Sequence, residues 1–410
     1  MKITKIELFH VSIPLKKTFY PTWIPGFPMT HNRFTLLCLS TDAGINGVAA
    51  GTAFGEEREG LGGLLAPYML GLDPCDTSVV HQRIREASYL GWRNFWIEAA
   101  FYDLKAKAEE LPVWKMLGGT DKPIPVYWST GSLVNPKNHS KIINQAQNEG
   151  YHGVKLRVKS KTLEEDVKGI RETRSRVDSD FPLMIDANQA WPVTIVDRIP
   201  DWNLERARQF ISAIEDQNIK WLEEPLDWHA YEELGELRKE SPILLAGSEL
   251  NAGWDEARMF FHFGSYDLYQ PDVTFFGFDD TLKVIKETKR RGLGFSPHTW
   301  TNGVGLLTNL HTAALGDRKF PLEFPYEPDS WIPQYRDGIL IEPIFPKDGY
   351  LELPQEPGLG IPIDWDKVKK FGTKFFSMTE ADLRKKVMKE KGVITALKLK
   401  RRKDKEQKSN

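Results

Sequence analysis

The sequence predicts a parallel α/β barrel carried behind a separate α+β domain, and three observations predict it. From Pro125 onward, short apolar runs alternate with amphipathic helical stretches, the texture of repeated βα units. Residues 1–122 read differently, with polar/apolar alternation at the start and helical periodicity toward the end. Seven of the eight apolar runs after Pro125 also deliver an acidic, basic or imidazole side chain near their carboxyl end. That end of a strand is where barrel active sites are built.

Composition sets the frame. A chain of 410 residues with 40% hydrophobic and 27% charged residues has ample material for a large core and is not disordered. No apolar run reaches the ~20 residues a bilayer requires, and the start lacks the apolar stretch of a signal peptide. Cys38 and Cys75 stand far apart, without the spacing of a zinc or redox site, which suits a reducing cytoplasm and no disulfide. The net charge of −2 conceals an asymmetry. Residues 384–410 carry twelve Lys/Arg against three Asp/Glu, so this tail is +9 and the remainder −11. No aromatic residue interleaves with those charges, which points to a solvated terminus more than to a nucleic-acid contact.

Taken in order, Ile3, Ile6, Leu8 and Val11, then residues 34–40, form strand-like runs closed by the turn signal Asp42-Ala43-Gly44, an antiparallel meander. The intervening residues 19–29 are too rich in Pro and Gly for regular structure, yet aromatic enough to line a pocket, as a flap would. Phe95, Ala99, Tyr102 and Ala106 then recur near helical spacing, and Gly118-Gly119 ends the region. An α+β domain over residues 1–122 follows. The barrel strands are residues 125–129, 153–158, 183–186, 220–225, 243–247, 268–272, 294–298 and 321–324. Between them, sets such as Leu163, Val167, Ile170 and Val177, or Leu204, Ala207, Ile211 and Ile214, mark one face of a helix. The barrel occupies residues 123–328, a Pro/Gly-rich segment over 329–380 returns to the first domain, and 381–410 form the basic tail.

One group per strand gives Lys155, Asp186, Glu223, Glu249, Asp272, His298 and Glu323, at separations of 31, 37, 26, 23, 26 and 25 residues. In a barrel all seven face one mouth. Asp186, Glu223 and Glu249 offer only carboxylate oxygens on consecutive strands, a hard donor set suited to Mg²⁺ rather than Zn²⁺, with Mn²⁺ a substitute. Singly, each acid has a structural explanation as a cap or a solvated strand end. Their shared position is what unites them. Asp272 and His298 follow on the next two strands, where a carboxylate holds an imidazole in one tautomer and raises its basicity. Lys155, Arg157 and Lys159 alternate along one strand and share a face, and buried cations there need an anion such as a substrate carboxylate. Together these residues suit removal of a proton α to a carboxylate, which needs a divalent cation and hydrogen-bond donors to stabilise the enediolate.

These motifs resemble the enolase superfamily, mandelate racemase subgroup. The likeness runs through Ala99 to Lys105 with Leu117-Gly118-Gly119, Asp186-Ala187-Asn188-Gln189, Trp221-Leu222-Glu223-Glu224-Pro225, Ala246-Gly247-Ser248-Glu249, Gln270-Pro271-Asp272, Ser296-Pro297-His298 and Pro357-Gly358-Leu359-Gly360. It implies a (β/α)7β TIM-like barrel under an α+β capping domain formed from the N-terminal region and the C-terminal segment, and a symmetric homo-oligomer. By matched position it implies Asp186, Glu223 and Glu249 as Mg²⁺ ligands, Asp272 with His298 as the general acid/base dyad, Glu323 as the acid that hydrogen-bonds the substrate carboxylate, and Lys155 as the first lysine of a Lys-x-Lys motif.

Arg157 stands where that motif has its second lysine, normally a base on the face opposite the histidine. With a pKa above ~12 it is a poor proton acceptor and a good carboxylate partner. Racemisation needs two bases and dehydration one, so the expected activity is a Mg²⁺-dependent dehydratase (a lyase) that turns an acid sugar, an aldonate or aldarate, into a 2-keto-3-deoxy acid. Two alternatives stand beside it. One is a racemase or epimerase of a 2-hydroxy acid using Lys155 and His298 as opposing bases, with the field of Arg157, Lys159 and the metal depressing the Lys155 pKa. The other is a non-catalytic barrel that binds metabolites or nucleic acid. Asn188 is expected near metal or substrate, and Trp23, His31 and Arg33, with Phe54 and Glu56, are the candidate substrate contacts in the first domain. Their polarity leans toward a hydroxylated, acidic substrate. No membrane partner is expected.

Overall fold

The computed structural model describes residues 1–53, 60–91 and 93–406; Phe54 and Glu56 lie outside the described residues. The chain opens with strands β1 (Ile3–Phe19), β2 (Met29–Thr41) and β3 (Asn46–Thr52), an antiparallel meander. Thr41 closes its second turn by bonding Ile45 through both hydroxyl and backbone. The period-2 pattern decides which face is buried: Ile6, Leu8, Leu37 and Leu39 pack against Leu65, Ile84, Phe101 and Leu104 from the helical half of the domain. Helix Thr77–Leu90 there is capped by Asp76, which accepts from the Val79 backbone N–H at 3.1 Å.

Eight parallel strands follow: β4 (Ile124–Leu133), β5 (Val154–Arg157), β6 (Leu183–Asp186), β7 (Ile219–Glu223), β8 (Leu244–Gly247), β9 (Leu268–Tyr269), β10 (Gly294–Phe295) and β11 (Leu322–Pro325). Neighbours in sequence are neighbours in the sheet, and β11 pairs with β4, so the sheet curls round on itself. At the β10–β11 seam side chains take over from the ladder: Ser296 Oγ donates to the Pro321 carbonyl and Thr299 Oγ1 to the Glu323 carbonyl, both at 2.7 Å. Strand β12 (Tyr350–Leu351) adds an antiparallel pair to β4. The chain then returns to the first domain, where β13 (Gly372–Thr379) pairs antiparallel with β1, giving the order β13-β1-β2-β3. Among the described residues no helix is long and apolar enough to cross a membrane.

Alternation along the barrel strands positions the site. Val154, Leu156, Ile185, Leu222 and Leu245 point out to the helices and join the main core. Tyr127, Met184, Trp221, Ala246 and Leu268 point inward and form a separate apolar plug at the base of the barrel. Two residues further along the same strands come Ser129, Asp186, Glu223, Ser248 and Gln270, all buried. With a side-chain period of two, a polar layer therefore lies directly above the plug.

His311, buried on helix Gly303–Ala313, ties the two domains to the returning segment. Its Nδ1 accepts from the Trp114 backbone N–H at 3.0 Å, and its Nε2 donates to the Leu359 carbonyl at 3.0 Å. Burial depresses its pKa to about 4, so it stays neutral when folded. Between pH ~6.5 and ~4 the unfolded chain binds a proton there that the folded chain refuses, so stability present above pH ~6.5 is lost as pH falls, by roughly 3 kcal/mol. Urea denaturation at pH 7 and pH 4.5 should record this loss, with a smaller difference in His311→Gln.

Candidate active site

Asp186, Glu223 and Glu249 stand at or just beyond the ends of three consecutive strands, with one carboxylate oxygen from each lying within 4.8 Å of the others. All three are buried. Each is followed or preceded by a residue in the left-handed region, Asn188 (φ 47°), Glu224 (φ 47°) and Ser248 (φ 79°). Such positions cost a non-glycine residue about 1 kcal/mol or more and gather at functional sites. Their effect is to turn the chain inward at the mouth. Asp186 Oδ1 accepts from the Asn188 backbone N–H (2.8 Å), Glu223 Oε2 from Gln270 (2.8 Å) and Trp221 (3.2 Å), and Glu249 Oε1 from Trp191 (3.2 Å).

The cations of β5 meet these acids. Lys155 Nζ lies 2.5 Å from Glu223 Oε1, 2.7 Å from Glu323 Oε1 and 3.7 Å from Asp186 Oδ2. Arg157 pairs with Asp186 and donates to the Thr130 carbonyl at 2.7 Å and to Ser129 Oγ at 3.2 Å. Its guanidinium sits over Trp23 (5.4 Å) and Trp300 (5.7 Å), stacking that lysine would not reproduce. The sequence points to a substrate carboxylate as the anion that balances these charges, and makes a lowered Lys155 pKa, in the field of Arg157, Lys159 and the metal, the condition of the alternative racemase reading. In the structure, Asp186 on the neighbouring strand and Glu223 and Glu323 two strands away on either side already face these cations. Burial alone would lower the Lys155 pKa, but Glu223 and Glu323 outweigh it and the pKa rises. Lys159 turns aside to donate to the Asn188 carbonyl at 2.5 Å.

The dyad is well defined. Asp272 Oδ1 accepts from the Thr274 backbone (2.8 Å), the Thr274 hydroxyl (2.7 Å) and Asn309 Nδ2 (2.7 Å), which leaves Oδ2 for His298 Nδ1 at 3.0 Å. Because a carboxylate only accepts, Nδ1 carries the proton and Nε2 faces the mouth. That nitrogen lies 3.6 Å from Glu249 and 4.0 Å from Glu323. Burial alone would lower the His298 pKa, but Glu249, Glu323 and Asp272 outweigh it and hold it up at about 9. Glu323 moves the other way, down to about 2, because Lys155, His298 and Arg157 outweigh its burial.

Six buried acids, Asp186, Glu223, Glu224, Glu249, Asp272 and Glu323, thus face three buried cations, Lys155, Arg157 and Lys159, and one imidazole. Burial and the neighbouring carboxylates push Glu224 well up, and its Oε2 has no hydrogen-bond partner. Hard anionic donors in excess, clustered at ligand spacing, fit a divalent cation of the Mg²⁺ type.

Above this layer lies a cavity of about 430 Å³ walled in part by two loops. From the first domain, residues 20–28 bring Trp23, Ile24 and Phe27; from the barrel, the chain after β6 brings Asn188, Trp191, Val193 and Ile195. The loops touch where Asp197 N donates to the Pro25 carbonyl at 3.2 Å. Gly26 allows that approach, since it has φ 74° and a Cβ there would collide with Asp197 and Val196. Thr22 anchors the first loop: its N–H donates to the Gly131 carbonyl at 3.0 Å and its hydroxyl to Asn188 Oδ1 at 2.9 Å. Thr22→Val is therefore expected to raise the KM of a substrate about 2- to 10-fold, the scale of one hydrogen bond, with little change in Mg²⁺ affinity; steady-state kinetics and calorimetry measure both.

Of the sequence candidates, the structure brings Asp186, Glu223, Glu249, Lys155, Arg157, Asp272, His298, Glu323, Asn188 and Trp23 to this one mouth. His31 and Arg33, 3.3 Å apart, instead line an adjoining cavity of about 70 Å³, behind a wall shared by Trp23, Phe27, Thr52 and Trp300. Sequence reasoning missed Ser129, which donates to Glu323 (2.8 Å) and accepts from Trp300 (2.8 Å) and Arg157. Its place at the strand end opposite Glu323 was the available signal. Trp191, Trp300 and Thr22 carried none beyond their nearness to motifs.

Comparison with known proteins agrees with this geometry. Residues 141–367 match the family model described as enolase C-terminal domain-like, and residues 5–118 match the N-terminal domain of mandelate racemase and muconate lactonizing enzyme. The chain is 27% identical to D-galactarolactone cycloisomerase of Agrobacterium fabrum, over 74% of this chain and 82% of that protein. It is 26% identical to L-talarate/galactarate dehydratase of Salmonella typhimurium, over 72% of this chain and 71% of that one. Among solved structures, a dipeptide epimerase from Cytophaga hutchinsonii, complexed with Mg and the dipeptide D-Ala-L-Val, superposes with a TM-score of 0.77 at 21% identity, over 92% of this chain and all of that one.

Proposed function

The chain belongs to the mandelate racemase and muconate lactonizing enzyme family of the enolase superfamily, and we propose that within it this protein is a Mg²⁺-dependent acid-sugar dehydratase. Arg157 carries this reading. Held by Asp186, Ser129, Thr130 and two tryptophans, it is a fixed cation and no base, so one proton-transfer group, His298, serves the mouth. Asp186, Glu223 and Glu249 would hold the cation, which when bound supplies the positive charge that makes an α-proton removable. Lys155 and Arg157 supply further fixed charge where the carboxylate develops its second negative charge. Asp272 keeps the proton on His298 Nδ1, so Nε2 is the nitrogen that exchanges protons with substrate.

In the overall step the α C–H bond breaks, its proton passes to His298 Nε2, and its electron pair forms a carbon–carbon double bond. The bond from C3 to its hydroxyl breaks, and that hydroxyl leaves as water with a proton from His298. Tautomerisation of the resulting enol yields the 2-keto-3-deoxy acid.

A second reading has its own observation. Lys155 Nζ and His298 Nε2 approach opposite oxygens of Glu323, at 2.7 and 4.0 Å, an arrangement that two opposing bases would have in a racemase or epimerase. Relatives of both kinds occur among the similar proteins, including an N-succinylamino acid racemase. Incubating acid sugars with the protein and Mg²⁺ in D₂O decides between them. Formation of a 2-keto acid supports dehydration; α-deuterium exchange or epimer formation without loss of water overturns it.

A further inference from the structure

We propose that Glu327, on the loop after β11, is a positioning residue for the active site: its carboxylate fixes a bulge at the end of β4 whose carbonyls seat both Arg157 and the first loop. The bulge lies where the pairing of the sheet breaks. Ser129 pairs with Lys155 and Leu133 with Arg157, so Thr130, Gly131 and Ser132 on β4 stand against Leu156 alone on β5. On the other side of β4 the β11 ladder ends at Pro325, opposite Ser129. Extra residues of this kind lose their place in the ladder, and their backbone groups must find partners elsewhere.

One side chain supplies the acceptors. Glu327 Oε2 accepts from the Gly131 N–H at 2.7 Å and the Ser132 N–H at 3.0 Å, and its Oε1 accepts from the Ser132 hydroxyl at 2.8 Å. Bonds to an ionised acceptor are the stronger kind, and the backbone of Glu327 is itself preset by reciprocal bonds with Trp331, N–H to carbonyl in both directions at 2.9 Å. With its N–H groups held, the bulge presents its carbonyls to the site. The Thr130 carbonyl accepts from Arg157 Nε at 2.7 Å, and the Gly131 carbonyl from the Thr22 N–H at 3.0 Å. Gly131 also fits closely against two rings, since a Cβ there would come within 2.5 Å of Phe19 and 2.7 Å of Trp300. Phe19 leads directly into the loop that brings Trp23, Ile24 and Phe27 to the cavity. Glu327 lines neither cavity, so it acts through the bulge.

Hydrogen exchange with mass spectrometry on the full-length, Mg²⁺-loaded protein tests this without a substrate. Glu327→Ala should speed exchange ~10-fold or more in residues 19–28 and 130–133, with exchange in β6 to β9 unchanged and Mg²⁺ affinity within a few-fold of wild type. Glu327→Gln should restore the wild-type pattern, because its amide oxygen can accept from both N–H groups and its amide N–H can donate to Ser132 Oγ. Should Glu327→Ala fail to fold, Glu327→Asp, whose carboxylate stops a methylene short, takes its place with the same expectation. The kinetic arm rests on the dehydratase reading. With an acid sugar that the wild type dehydrates, KM should rise ~10-fold, while kcat falls no more than ~3-fold because Asp186, Ser129 and two tryptophans also hold Arg157. Loss of folded protein alone would lower kcat and leave KM. Unchanged exchange in residues 19–28, acceleration spread evenly over the barrel strands, a Glu327→Gln variant as loose as Glu327→Ala, or a fall in kcat at constant KM overturns the proposal. If the wild type dehydrates none of the acid sugars, the proposed reaction falls and the exchange pattern alone decides the role of Glu327.

Discussion

His298→Asn is expected to lower turnover of any substrate by ~10³-fold or more while leaving Mg²⁺ affinity within a few-fold of wild type. The amide nearly matches the imidazole in size and can still bond Asp272 Oδ2, but it cannot exchange a proton at the Nε2 position, and positioned acid/base groups contribute ~10²- to 10⁴-fold. The same residue dictates the pH profile. As a base His298 acts neutral, so kcat/KM should rise with pH through an ionisation no higher than about 9, the value at which Glu249, Glu323 and Asp272 hold it against its burial. That limb should vanish in the variant. Retained turnover in His298→Asn would remove the histidine from the mechanism.

Asp186→Asn should weaken Mg²⁺ binding by at least ~100-fold, because loss of a supporting contact one layer out already costs 10- to 100-fold and this change removes a charged oxygen from the cluster itself. Arg157 would also lose its carboxylate partner. Two readouts follow. Calorimetry should detect no saturable Mg²⁺ site below millimolar concentration, and the rise in Tm that a ligand of the folded state confers should disappear. Unchanged Mg²⁺ affinity would place the metal elsewhere.

Much of the site was readable because barrel geometry converts sequence order into spatial order. Once Asp186, Glu223 and Glu249 fall at the ends of successive strands, a spacing of roughly 4.8 Å between parallel neighbours brings their oxygens together, whatever the helices between them do. His298 and Asp272 follow by the same rule. The reading weakened wherever position depended on loops. His31 and Arg33 lie on β2, and no local pattern tells which side of Trp23 and Phe27 the cavity opens on. The lean toward a hydroxylated, acidic substrate came from the polar candidates of the first domain, of which His31 and Arg33 line the adjoining cavity and Glu56 lies outside the described residues.

Lys155 illustrates the same division. Alternation correctly places Lys155 and Arg157 on the inward face, beside Asp186 on the next strand. Whether Lys155 is a base or a permanent cation depends on Glu323, 168 positions away in the chain, whose strand closes the sheet against β4. By itself the sequence determined the fold class, the order of the strands and the identity of the acids and the imidazole at their ends, because hydrophobic period and strand order are local properties. Only the tertiary structure decided which charges meet around those groups and what lines the chamber above them. Electrostatic fields and cavity walls are sums over residues that the chain brings together from distant places.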